Sequence, residues 1–134
     1  MVVAAWDPRL ETGIDVIDAQ HRALFGAINE LAGAFKSGQA SAQAQECLTF
    51  LTDYTVEHFH TEERFMRSMG YPRLAEHQVE HAELLMKLRG IHENQAKGYL
   101  VTAEVALFVS EWLRHHIHQE DMGYVRFTKA FRKR

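Results

Sequence analysis

Nine histidines are many for a chain of 134 residues, and their spacing carries more information than their number. Histidine is the commonest metal ligand and a frequent proton carrier. His58-x-x-x-Glu62 and His77-x-x-x-His81 are i,i+4 pairs, so on helices both members of each pair face the same way. His116 is followed five residues later by Asp121. On an α-helix that spacing turns Asp121 well off the line of His116, as suits a ligand reaching in from a neighbouring face. With His21 these make a nitrogen and oxygen donor set that suits iron, zinc or copper. The single cysteine, Cys47, excludes an intrachain disulfide and reads as a small buried apolar residue.

The elements that must position these side chains follow from apolar periodicity. Proline is scarce at two, which permits long helices. Residues 1–17 read as an extended arm, interrupted by Asp7-Pro8 and Gly13. Helix A covers about 18–36, with Asp18 as N-cap, a seam of Ile17, Leu24, Ile28, Leu31 and Phe35, and Ser37-Gly38 at its end. Helix B covers about 41–69, with Leu48, Leu51, Thr55, Phe65 and Met69 inward and Gly70 as its C′ residue. Helix C covers about 72–97, starting on Pro72 and ending before Gly98, with Leu74, Leu84, Leu88 and Ile91 inward. Helix D covers about 102–120, from Thr102, with Val105, Val109 and Trp112 inward and Phe108 beside them. Residues 121–134 form a tail or a short extra helix. Short connections make consecutive helices antiparallel, giving an all-α, up-down-up-down four-helix bundle in one domain, 1–134.

Each apolar seam has gaps, and the histidines fill them. His21 lies between Ile17 and Leu24, His58 and Glu62 between Thr55 and Phe65, His77 and His81 between Leu74 and Leu84, and His116 after Trp112. Burying such groups unpaired costs several kcal/mol each, against a total domain stability of about 5–15 kcal/mol. They need a shared partner, and metal is one that satisfies all of them. The starts of A and C lie level with the ends of B and D, so the donors converge on one layer.

In this order the motifs resemble the hemerythrin family in its bacterial single-domain form. The matching pieces are Asp18-Ala19-Gln20-His21 with Leu24-Phe25, His58-Phe59 with Glu62-Glu63, Gly70-Tyr71-Pro72, His77 with His81, and Trp112-Leu113 with His116-Ile117 and Asp121. The resemblance implies two iron ions bridged by an oxo or hydroxo group. It puts His77, His81 and His116 on one iron, His21 and His58 on the other, and Glu62 and Asp121 across both. Two octahedral irons then have all but one position filled, and the vacancy lies at the two-histidine iron. The implied activity is reversible binding of dioxygen there, end-on, for carriage, storage or buffering rather than as an enzyme. Phe25, Phe59, Trp112, Leu113 and Ile117 are candidate walls of that position, with Leu113 as its gate. A sensor acting through a partner and a di-iron oxidase or peroxidase are the alternatives. The oxidase reading wants paired E-x-x-H motifs, and the one here, Glu57 to His60, lies off the inward seam.

The remaining features read as ordinary surface. His60, His115, His118 and Glu63 fall on outward positions, and His92 on a helix end. A net charge of -3 names neither nucleic acid nor an anionic membrane as partner. With no signal-like start and no membrane-length apolar run, a cytoplasmic monomer is expected. Arg126, Lys129, Arg132, Lys133 and Arg134 make a basic tail, a solvated end or a docking patch for an acidic protein partner.

Overall fold

The computed structural model of the chain describes residues 4–36, 40–96 and 103–132. A 3-10 turn, Pro8–Leu10, precedes α1 (Asp15–Lys36), α2 (Ala40–Ser68), α3 (Leu74–Ala96) and α4 (Ala103–His116). A π-helical turn, Ile117–Asp121, joins α4 to α5 (Met122–Arg132). α1 packs on α2 and α4, and α2 on α3, as in an antiparallel four-helix bundle. Among the described residues no helix is long and apolar enough to cross a membrane.

α1 begins at Asp15, ahead of the expected Asp18. Asp18 does not cap from outside the helix; it sits within the first turn and reaches back. Its carboxylate accepts from Thr12 N, Thr12 Oγ1 and Gly13 N, while Thr12 Oγ1 accepts from Ile14 N. The carboxylate thereby satisfies donors at the helix entry and complements the positive end of the helix dipole. The arm is tied down rather than loose. Asn29 exchanges two hydrogen bonds with the Ala4 backbone, and Trp6 packs edge-on to Phe25 with the Arg22 guanidinium over its face.

α2 ends in a Schellman motif: Tyr71 N donates to Met66 O, Gly70 N donates to Arg67 O, and Gly70 takes φ 68°. Pro72 lies in the following turn, and α3 starts at Leu74. The inward positions differ in detail from the seams read by periodicity. Met66 is fully buried where Phe65 and Met69 were expected, and Ala106 and Leu113 line α4 while Phe108 is exposed. Cys47 is half-buried, not buried. Ser37-Gly38, Gly98, Thr102, Lys133, Arg134 and the Phe35 side chain lie outside the described residues.

Two apolar clusters result. The larger runs from Leu10 and Leu24 through Leu48, Leu51 and Leu88 to Phe59, Leu113 and Ile117. The smaller closes one end with Met66, Tyr124 and Val125, against Ile14, Phe65, Tyr71, Leu74 and Met122. Along α2 and α3 the polar residues sit between the two clusters, which seal that layer from water above and below.

Candidate metal centre

His21, His58, Glu62, His77, His81, His116 and Asp121 are all at most 2% exposed. They come from α1, α2, α3, α4 and the π turn and meet in the one layer. The π turn is what brings Asp121 in. Met122 N donates to Ile117 O, an i→i+5 bond that widens the turn. Residues five apart, which diverge on an α-helix, come together on it: Asp121 Oδ1 lies 3.1 Å from His116 Nε2. Asp121 therefore shares the face of His116, where the sequence reading had it approach from a neighbouring face.

The donor atoms form two overlapping groups that could each hold a metal ion: Glu62, His77, His81, His116 and Asp121, and His21, His58 and Glu62. In the first, His116 Nε2 stands 3.1 Å from His77 Nε2 and 3.2 Å from His81 Nε2. Ligands bound at right angles with metal–nitrogen bonds of about 2.0–2.1 Å sit about 3 Å apart, so this spacing fits three nitrogens on one octahedral ion. Asp121 points its two oxygens in different directions: Oδ1 is 2.9 Å from His77 Nε2, and Oδ2 is 3.2 Å from His21 Nε2. Glu62 Oε1 lies 3.3 Å from His81 Nε2 and 3.4 Å from His58 Nε2. Both carboxylates thus span the two groups.

A fit to metal also explains the unsatisfied atoms. His21 Nε2, His58 Nε2, Glu62 Oε1 and both Asp121 oxygens are buried without a hydrogen-bond partner, and so is the far ring nitrogen of His21, Nδ1, which a metal on Nε2 would leave unpaired. Buried polar groups are normally paired, and their concentration at one point marks a missing common partner. Without metal the layer holds protons instead. Burial alone would depress His21 and His116, but Asp121 and Glu62 raise both to about 9. Burial dominates at His58 and lowers it to about 4. Burial would raise Glu62 and Asp121, yet the surrounding histidines hold both below the usual carboxylate range.

Four further residues hold the donors in place and were not singled out from sequence. Glu63, expected on the surface, is half-buried; its Oε2 accepts from His81 Nδ1 at 2.7 Å. Glu80 Oε1 accepts from His116 Nδ1 at 3.1 Å, and Gln20 Oε1 pairs with His58 Nδ1 at 2.7 Å. Tyr124, fully buried, donates its hydroxyl to Glu62 Oε2 at 2.7 Å. Gln20 and Glu63 sat inside the quoted motifs, but a helix-edge position leaves no periodic signal. His60, His115 and His118 are exposed. His92 is half-buried and shares a 2.8 Å hydrogen bond with Thr52 of α2.

Apolar rings press on the layer. Phe59 stacks on His81 with centroids 3.6 Å apart, and Trp112 stacks on His116 at 4.6 Å. Phe25, Leu113 and Ile117 are buried in the same cluster.

Residues 12–127 match the Hemerythrin HHE cation binding domain family. The chain is 34% identical over 130 residues to a bacteriohemerythrin of Stenotrophomonas maltophilia, spanning 97% of this chain and 84% of that one. It is 34% identical over 119 residues to a myohemerythrin of Riftia pachyptila, spanning 89% and 88%. The fold is similar to a crystal structure of wild-type hemerythrin, with a TM-score of 0.86 and 29% identity over 91% of this chain and 95% of that one.

Proposed function

The chain belongs to the hemerythrin family and is a hemerythrin-type oxygen-binding di-iron protein, and from that premise we propose how its own residues divide the work. His77, His81 and His116 would hold one iron, His21 and His58 the other, and Glu62 and Asp121, whose oxygens face both groups, would be shared between them. The observation that supports this is the pair of donor groups sharing Glu62 in a sealed layer. The iron pair, when bound, supplies the electrons that dioxygen takes on binding and recovers on release.

The protein's part is geometry and exclusion of water. Tyr124 donates to one Glu62 oxygen and so fixes the orientation of that carboxylate in the layer. Phe25, Phe59, Trp112, Leu113 and Ile117, packed beside the layer, would wall the position that dioxygen takes, with Leu113 as its gate. An apolar wall would keep water and stray protons from the centre, which favours reversible binding over side reactions. The role is carriage, storage or buffering of dioxygen, not turnover. The exposed His60 takes the Glu57–His60 pair off the inward face, so it does not supply the carboxylate-rich site of a ferritin-like oxidase.

The test is an optical spectrum with iron counting. Reduced protein with two irons per chain gains colour in air and loses it again when oxygen is removed, over repeated cycles. Irreversible bleaching, or continued consumption of a substrate, would replace this reading with an enzymatic one.

A further inference from the structure

We propose that Glu63 and Glu80 are positioning residues that make the two ends of the centre electronically unequal, by placing carboxylates behind His81 and His116 while the His21–His58 end is backed by a neutral amide alone. The inference rests on the ligand assignment above and goes beyond it.

A histidine that binds metal through Nε2 presents an Nδ1–H on its far side. What accepts that proton fixes the tautomer and sets how strongly the ring donates to the metal, and a carboxylate makes the ring a better donor than an amide does. His81 Nδ1 donates to Glu63 Oε2 at 2.7 Å, and Gln78 Nε2 donates to Glu63 Oε1 at 3.1 Å, which locks the carboxylate in place. His116 Nδ1 donates to Glu80 Oε1 at 3.1 Å. These side chains are 17% and 32% exposed, at the water edge, where a carboxylate keeps its charge.

The other end differs in kind. His58 Nδ1 donates to the neutral Gln20 Oε1 at 2.7 Å, and Gln20 is held in turn by Thr61. His21 Nδ1 is buried with no partner. Two of the three histidines at one end thus carry a full negative charge behind them, and neither histidine at the other end does. Negative charge behind a ligand favours the more highly charged ferric ion. The asymmetry therefore stabilises ferric iron at the three-histidine end and leaves the two-histidine end, where dioxygen binds, the weaker donor set.

The experiment uses the full chain, stripped of iron and titrated with ferrous iron alone without oxygen, and then the reduction potential of the loaded protein. Wild type takes up two ions. Glu63→Gln and Glu80→Gln each keep an acceptor but remove the charge. Each is expected to weaken one of the two uptake steps by about 10–100-fold, leave the other unchanged, and shift the potential positive. Gln20→Glu adds a charge at the opposite end and should shift the potential negative. If wild type takes two ions and all three variants leave uptake and potential unchanged, the asymmetry is wrong while the ligand assignment stands. Equal weakening of both steps by Glu63→Gln and Glu80→Gln marks a general structural effect and likewise overturns it. Wild type taking fewer than two ions removes the assignment and this inference with it. Should Glu63→Gln fail to fold, Glu80→Gln and Gln20→Glu still decide the sign.

Discussion

His77 Nε2 lies 2.9 Å from Asp121 Oδ1 and 3.1 Å from His116 Nε2, closer than two unprotonated nitrogens would sit without a shared proton or ion. Replacing it by alanine removes one donor from the more crowded group. His77→Ala should bind about one iron fewer per chain and melt earlier. The size follows from linkage: a ligand present at a hundredfold its Kd adds about 2.7 kcal/mol. His60→Ala, on the exposed face, should change neither iron content nor melting. If it empties the centre, the register of α2 is wrong. Leu113 is 3% exposed in the same cluster as Phe59 and Ile117. Leu113→Ala opens the proposed gate, so oxygen release and irreversible oxidation should both quicken while iron content holds, as stopped-flow and spectral decay would show. Unchanged rates would move the entry path elsewhere.

At the scale of elements, the junction of α4 and α5 organises the centre. The π turn brings Asp121 beneath His116, and α5 then carries Tyr124 to Glu62. Gly123 in α5 leaves room for Tyr71, because a Cβ there would sit 2.7 Å from the Tyr71 hydroxyl, the far end of that side chain. Gly123→Ala should therefore destabilise the chain by about 1–3 kcal/mol of overpacking, offset in part by alanine's better helix propensity. Adding Tyr71→Phe removes the offending oxygen and should restore the melting temperature. A single Gly123→Ala chain as stable as wild type would show that Tyr71 moves aside freely. The helices themselves were legible from the three-and-four steps of Leu24, Ile28 and Leu31 and from Gly70 at a helix end. The π turn was not, because a single widened turn alters no composition and leaves the hydrophobic period intact.

For the whole molecule, the buried layer ties stability to pH on the alkaline side only when iron is absent, and on the acid side with or without it. In the iron-free chain His21 and His116 titrate near 9, above their ordinary value. Their contribution is complete below about pH 6.5 and is lost as pH rises through 9. His58, lowered to about 4, and the lowered Glu62 and Asp121 work the other way. Their contribution is present above their unfolded values and is lost as pH falls. The iron-free chain should therefore be most stable near neutrality and weaken on both sides. In the proposed assignment iron takes the place of the protons on His21 and His116, so the loaded protein should keep its alkaline stability and lose iron only in acid. Melting curves from pH 4 to 10, with and without a chelator, test this. An iron-free midpoint that stays flat from pH 7 to 10 would contradict it.

Residue type and spacing alone determined that this chain is a helical bundle with six ionisable side chains on its inward faces, while Asp121 joined them only through the π turn. Burial of that many unpaired donors is too costly for a small domain, so a shared partner was required before any fold was known. Tertiary packing alone decided which carboxylate oxygen faces which histidine, and that Gln20, Glu63, Glu80 and Tyr124 stand behind the donors. Those contacts join residues 15–62 positions apart across separate helices. A helical period reports which way a side chain faces, but not which neighbour from another helix meets it.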